Sequence, residues 1–235
     1  MVHFNANPSR KAFTLIEVVL ALGVFFISIL ALIGLLAPML KSVDEVEKID
    51  EITSVVNTVN AFLQSSPKIP VRDTNGEITQ SKFDSVYQAV SSAGSGEATL
   101  FVFRYYDGTS VDSISLEAGF SPNENDDGNF VGTNSIVDVN LFNDAAGPIY
   151  RVVLTASSVT PDNTNPPLRT TSRVNGVYTL TQSLNNYPEG YLALEARIFA
   201  EDPPGPAPNS FDTTTDLTLL SEVEPDFTFN TAIVR

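Results

Sequence analysis

The sequence predicts an α+β protein in which one long N-terminal helix packs on a single antiparallel sheet. Three observations lead to this prediction. Positions 18–37 form an uncharged apolar run, and an apolar stripe with helical spacing continues from there to about residue 65. Beyond residue 98 several segments show the alternation and the β-branched or aromatic content of strands. A helix stripe that covers one face of a sheet is a standard two-layer arrangement.

The apolar run is long enough to cross a membrane. At 1.5 Å per residue, positions 18–37 span about 30 Å, which matches the hydrocarbon core of a bilayer. Ser28 is the only hydrogen-bonding side chain within it. Arg10 and Lys11 precede the run, and five acidic residues follow between positions 44 and 51. The positive-inside rule therefore predicts a cytoplasmic N-terminus and places the rest of the chain across the membrane.

A cleaved secretory signal is the alternative interpretation of this segment. The run exceeds the ~7–15 apolar residues that are usual in such signals. The one plausible cleavage site, after Leu35-Leu36-Ala37, lacks a small residue at its first position, and Pro38 follows directly. A membrane-inserted helix fits better.

The membrane helix is expected to continue as an amphipathic helix that ends at about Ser65, before Pro67 and Pro70. A kink or melted turn is expected near Gly34–Pro38, because proline removes a helical hydrogen bond. The apolar stripe needs a cover, and residues 66–235 are the obvious one. The stripe consists of Val43, Val46, Ile49, Ile52, Val56, Val59 and Leu63.

The cover is predicted to hold a short second helix at 81–91 and four to six strands. Its Pro-rich segment 203–208 reads as a stiff, extended surface connection. The predicted strands occupy 99–106, 149–155, 177–182, 191–200 and 227–233.

Composition narrows the functional classes. The 235 residues carry a net charge of −15, which argues against a generic nucleic-acid binder. There is no Cys, and the single His is His3, so thiol chemistry and a Ser-His-Asp triad within the predicted mature chain are excluded. No phosphate-binding glycine loop is present. We therefore expect no enzymatic activity.

Glu17 is unusual because it lies inside the apolar segment that begins at Phe13. An unpaired carboxylate deep in hydrocarbon costs on the order of 2.5–3.5 kcal/mol, and less near the interface. Such a charge usually has a partner, although a carboxylate at the level of the lipid headgroups is the simpler alternative.

The segment SRKAFTLIE at 9–17, followed by the apolar run, resembles the prepilin cleavage and methylation signature of type IV pilins and type II secretion pseudopilins. The resemblance implies cleavage between Ala12 and Phe13, N-methylation of Phe13, and pairing of Glu17 with the N-terminal amine of a neighbouring subunit. Ala12 stands where the family usually has glycine. Residues 17–23 and 34–38 also resemble the Verru_Chthon cassette protein B group of pilin-like proteins.

The resemblance implies a pilin-like fold with a leader at 1–12, a long helix at 13–65 and an extracytoplasmic head at 66–235. It implies a non-enzymatic minor pilin or pseudopilin in the bacterial inner membrane, which is processed by a prepilin peptidase and then extracted into a type IV pilus or a type II secretion-like pseudopilus. Other subunits, an assembly platform and an ATPase are the implied partners. The alternative is a monomeric, membrane-anchored module that binds a ligand or an envelope polymer.

One loop shows part of a calcium-binding pattern. Oxygen-bearing residues alternate at Asn123, Asn125, Asp127 and Asn129, around Gly128. The pattern departs at its first position, which is Asn123, and at its twelfth, which is Asn134 rather than Glu. A solvated acidic turn is the favoured interpretation, and no other cofactor is expected.

Overall fold

The computed structural model describes residues 13–91, 97–108, 113–126, 130, 132–204 and 211–235. It confirms the α+β class, with a long N-terminal helix and an antiparallel sheet. The chain divides into two compact units, residues 1–51 and 52–235, and each is described by itself.

Helix α1 spans Leu15–Ser65 and ends where the sequence predicts. Its last turn is closed by a bond from the Ser66 N–H to the carbonyl of Phe62. The expectation of a melted turn near Gly34–Pro38 is wrong, because the helix is continuous through both residues. A proline inside a helix loses one hydrogen bond and crowds the carbonyl four residues earlier, yet the flanking bonds can hold the helix together.

The sheet has five antiparallel strands in the order β4-β3-β5-β6-β7. A separate two-stranded ribbon precedes it. The strands are β1 Val71–Arg72, β2 Ile78–Gln80, β3 Glu97–Tyr106, β4 Ile114–Phe120, β5 Ile149–Ala156, β6 Tyr191–Glu201 and β7 Phe227–Val234. The other helices are α2 Lys82–Ser91, α3 Asn123–Asp126 and α4 Leu217–Leu220, with 3₁₀ turns at Val139–Asp144 and Leu184–Asn186.

Four of the five predicted strands and the second helix are confirmed. The strand predicted at 177–182 is wrong, since this segment makes only isolated bridges, such as Val174 with Val177 and Arg169 with Leu180. Its residues pair mainly within the irregular 157–190 connection and reach the sheet only through a single bridge, between Tyr178 and Ala156 of β5. Strand β4 was not predicted, although its sequence ISLEAGF alternates apolar residues with Ser115, Glu117 and Gly119 as a strand does.

The main core lies between one face of the sheet and two helices. Val59 and Leu63 of α1 are fully buried there, together with Val86 of α2 and Leu194 of β6. Only part of the predicted stripe is covered. Its first three members, Val43, Val46 and Ile49, are 61–66% exposed.

A smaller core covers the other face of the sheet. Phe101 and Phe103 of β3 pack there against Phe142, which belongs to the 3₁₀ turn Val139–Asp144. Phe211 joins them with ring centroids 4.8 Å from Phe142 and 5.6 Å from Phe101. The second unit therefore has three layers: helices, sheet and a cover of loops.

Candidate functional site

The N-terminus of α1 is built as a capping box. The Thr14 hydroxyl accepts a bond from the Glu17 N–H at 3.4 Å, and the Thr14 N–H donates to Glu17 Oε2 at 3.3 Å. The backbone N–H groups of Thr14 and Glu17, which have no partner within the helix, thus each bond to the other residue's side chain. A Thr-x-x-Glu spacing at a helix start provides this pair of bonds. The sequence signal Thr14-x-x-Glu17 predicts this motif, and our sequence reasoning missed it.

Both contacts from Thr14 reach the same carboxylate oxygen. The Thr14 hydroxyl lies 3.4 Å from Glu17 Oε2, next to the bond from its own N–H. Oε1 of Glu17 accepts no hydrogen bond from the part of the chain that the structure describes. The contacts at Oε2 therefore orient the carboxylate, and Oε1 can accept a hydrogen bond from another molecule.

The surroundings of Glu17 are apolar. Phe13, the first described residue, is 80% exposed, and Ile16 is 72% exposed. From residue 18 to residue 40 the chain carries no charge. The only hydroxyl in that stretch, Ser28, is satisfied by its own helix, since it donates to the carbonyl of Val24 at 2.9 Å.

The apolar part of α1 is exposed along its whole length. Apart from Ile29, which is half-buried, its described large side chains between Phe13 and Leu40 are 49–85% exposed, and none of the most apolar window is buried within the chain. A monomeric soluble protein rarely exposes so continuous an apolar surface. By length and composition this helix is a candidate membrane anchor.

The predicted processing site lies at the boundary of the described residues. Ala12 is outside them, whereas Phe13 and Thr14 form a short non-helical lead into α1. Phe13, Thr14 and Glu17 thus lie within one helical turn of each other, as their spacing predicts.

The predicted calcium loop is only partly described. Asn123 is exposed in the short helix α3, and the side chains of Asn125, Asp127 and Asn129 lie outside the described residues. Glu124, between the predicted ligands, turns inward instead, and its Oε1 accepts a bond from the Thr99 N–H at 2.7 Å. Within the described ranges no group of three or more His, Asp or Glu side chains could hold a metal. The calcium loop stays a prediction.

One buried charge cluster fixes a segment to the loop face of the sheet. Arg151 of β5 donates to both carboxylate oxygens of Glu201. Its guanidinium carbon lies 4.9 Å from the ring centroid of Phe101. The same guanidinium donates to the carbonyls of Asp212 and Thr214. Arg151 therefore bonds the 212–215 segment to the sheet.

A second cluster joins β6 to the 157–190 connection. Glu195 accepts bonds from Arg173 at 2.6 and 2.8 Å and from Arg197 at 2.8 and 3.0 Å. Burial raises the pKa of Glu195, but the hydrogen bonds from the two arginines outweigh it and hold the pKa below its usual range. Arg173 also lies 4.7 Å from the ring centroid of Tyr178. Each of these charges is engaged within the fold.

Comparisons with protein-family models, with curated proteins and with solved structures give no match for this chain.

Proposed function

We propose that the chain is a non-enzymatic, pilin-like assembly subunit, a minor pilin or pseudopilin of a type IV pilus or type II secretion-like system. The observation that carries this proposal is a continuous helix whose N-terminal, apolar part is largely exposed and holds a single carboxylate in its first turn. The prepilin-type signature around that carboxylate and the α+β head support it. In this proposal α1 anchors the precursor in the inner membrane, with the head on the periplasmic side.

The proposed assembly step follows from the state of Glu17. Cleavage after Ala12 creates a new amino group on Phe13. In the family that the signature resembles, this amino group is then methylated. An ammonium and a carboxylate that are each costly in an apolar environment become tolerable when they pair across two helices. Apolar packing between neighbouring α1 helices supplies the remaining attraction, and the free oxygen of Glu17 is available to the amine of another subunit.

The ion pairs of the head have a structural explanation. Arg151, Arg173, Arg197 and Glu195 brace loops against the sheet, and their hydrogen bonds are directed within the fold. The peptidase, platform and ATPase partners rest on the family resemblance and belong to the proposal.

The first test is the intact mass and N-terminal residue of the protein from its native membrane. A chain that starts with N-methylated Phe13 is the expected result. A chain that starts at Met1 or Val2 would favour the anchored binding module. A start at Pro38 or later would show an ordinary signal peptide and contradict both.

The second test uses Glu17 itself. Copies that carry Glu17→Gln should no longer co-purify with differently tagged copies in a sheared filament fraction, because the neutral amide does not compensate an ammonium. Ser28→Ala is the matched control, since Ser28 bonds only within its own helix. If Glu17→Gln assembles as well as the control, the assembly proposal is wrong and the binding module gains support.

A further inference from the structure

Strand β7 leaves a row of backbone hydrogen-bonding groups on the outside of the sheet. In an antiparallel ladder, alternate residues point their N–H and C=O groups away from the neighbouring strand. The Arg235 N–H donates inward, to the carbonyl of Gly190 at 3.0 Å. Counting back from Arg235, the outward-pointing residues are Val234, Ala232, Asn230 and Thr228. No described group bonds to the backbone of these four residues.

The opposite edge of the sheet is protected, and β7 is not. On β4 the Phe120 N–H donates to the Ser135 carbonyl at 2.7 Å, and Phe120 accepts from the Val137 N–H at 2.9 Å. Strand β4 also carries Glu117. The β7 sequence FTFNTAIV has eight residues with neither charge nor proline. Natural sheet edges usually carry such protective features, so their absence marks an edge that is suited to strand pairing.

A groove of about 900 Å³ follows this open edge. Asn230 and Thr231 both line it, and consecutive strand residues point to opposite faces, so the groove runs along the edge itself. Leu63 and Gln64 of α1 form one wall, and Val159 lies on the other side. These residues flank the edge strand on both faces of the sheet. A single extended segment therefore fits between them better than the edge of a second folded sheet.

Charge differs between the two ends of the groove. Lys82 lines the groove and precedes Phe83, whose ring centroid lies 5.3 Å from the guanidinium of Arg235, so Lys82 lies toward the Val234 end. At the other end Glu222, Glu224 and Asp226 precede the strand. An occupant with a carboxylate at the Lys82 end and a basic side chain at the other end would be electrostatically complementary.

We propose that this groove binds an extended peptide segment of a partner protein, which adds to β7 as a sixth, antiparallel strand. The segment is uncharged along the eight residues of β7, acidic just before them and basic just after. Main-chain bonds to the four outward residues supply affinity, and the wall residues select side chains. The inference goes beyond the proposed function, since filament assembly through α1 does not use this edge.

A labelled peptide with the sequence EPDFTFNTAIVR, which copies residues 224–235, is a suitable probe. Laid antiparallel to β7, it places its two acidic residues beside Lys82 and its arginine beside Glu224. Fluorescence anisotropy with the full chain in detergent micelles should show saturable binding. Ala232→Pro should weaken it about ten-fold or more, because proline removes an outward N–H and blocks the edge.

Val139→Pro is the matched control. Val139 is the first residue of a 3₁₀ turn, where proline is tolerated, and it lies outside the groove. This variant should bind the peptide like the wild type. Equal binding by the Ala232→Pro and Val139→Pro variants would overturn the proposal, as would the lack of saturable binding by the wild type.

Two further measurements keep the test independent of how Ala232→Pro folds. In the wild type, the peptide should slow hydrogen exchange at the outward amides of β7. Lys82→Glu should weaken binding several-fold at low salt, and a peptide in which only the two acidic residues are replaced, KPKFTFNTAIVR, should restore it. Unchanged exchange or no charge dependence contradicts the proposal.

Sedimentation separates this occupant from a second copy of the chain. A wild-type dimer that Ala232→Pro abolishes would assign the edge to self-pairing and overturn the proposal of a separate partner, since the probe copies β7 and would bind in that case too. Glu17→Gln should bind the peptide normally, so failure of the assembly proposal is distinguishable from failure of this one.

Discussion

At the residue scale, Gly119 permits the close approach that protects β4. A Cβ at this position would lie 2.8 Å from both the Ser135 carbonyl oxygen and the Val137 nitrogen. These backbone atoms belong to the segment that bonds to Phe120 on the outer edge of β4. Backbone atoms cannot move aside as a flexible side chain can, so a methyl group at Gly119 must displace the segment.

Gly119→Ala should lower the free energy of unfolding by about 1–3 kcal/mol, through overpacking. Gly190→Ala is the matched control, because a Cβ there meets nothing within 4 Å. Urea unfolding of both variants in the same detergent measures the difference. Equal stability of the two variants would show that the 135–137 segment is free to shift.

Glu195 makes the stability of the head depend on pH. Its pKa is lowered in the folded protein, mainly because the hydrogen bonds from Arg173 and Arg197 exceed the opposing effect of burial. A group with a lowered folded pKa stabilises the protein above its unfolded pKa of about 4.3, and this contribution is lost as pH falls through the folded value.

The unfolding free energy should therefore decrease as pH falls below about 4, and Glu195→Gln should flatten this decrease. At neutral pH the variant should lose about 2 kcal/mol, since charge-assisted hydrogen bonds from two arginines are weakened. Urea titrations at pH 3 to 7 check both statements. A variant whose pH profile is parallel to that of the wild type contradicts them.

At the element scale, Arg151 holds the 211–216 segment on the loop face of the sheet. Its side chain is 6% exposed and carries bonds to Glu201, to the carbonyls of Asp212 and Thr214 and to the Thr215 hydroxyl. The segment has no regular secondary structure of its own. Its position therefore depends largely on this guanidinium, with further support from the packing of Phe211, from the Ser121 hydroxyl, which donates to the Thr213 carbonyl, and from a bond between the Thr99 and Thr215 hydroxyls.

Arg151→Met should release the 211–216 segment and cost about 3 kcal/mol, because Glu201 and several carbonyls lose their donor. Limited proteolysis should cut the variant within this segment at least ten times faster. Arg104→Met, an exposed arginine on β3, provides the control. Similar cleavage rates in the two variants would mean that Phe211 and the bonds to Thr99 and Ser121 hold the segment without Arg151.

The boundaries of helices and strands were predictable where the hydrophobic periodicity ends close to a proline or glycine. The helix end at Ser65 and the strands at 149–155, 191–200 and 227–233 follow from local pattern. The segment 177–182 has the composition of a strand, but it bonds mainly to residues 168–174 of its own connection and makes one bridge to the sheet, between Tyr178 and Ala156. Local propensity cannot tell which partner a β-rich segment meets.

At the scale of the whole molecule, the apolar part of α1 is not buried against any other part of the described chain, so it requires an apolar environment from outside the chain. A charge at its centre should disturb membrane insertion, at a cost of about 2.5–3.5 kcal/mol. Ile27→Arg should therefore shift protein from the carbonate-resistant membrane pellet to the supernatant. Val43→Arg, beyond the apolar run, should stay in the pellet. Equal pelleting of both variants would contradict membrane anchoring by residues 18–37.

The α+β class, the apolar helix that is a candidate membrane anchor and the isolated carboxylate of Glu17 could all be predicted from the sequence, because each depends on local composition and period. Tertiary structure alone decided which strands lie at the sheet edges and which charges meet inside. Arg151 with Glu201, Glu195 with Arg173, and the groove beside β7 each join residues that are far apart along the chain. Such contacts are set by the order of strands, which no local pattern encodes.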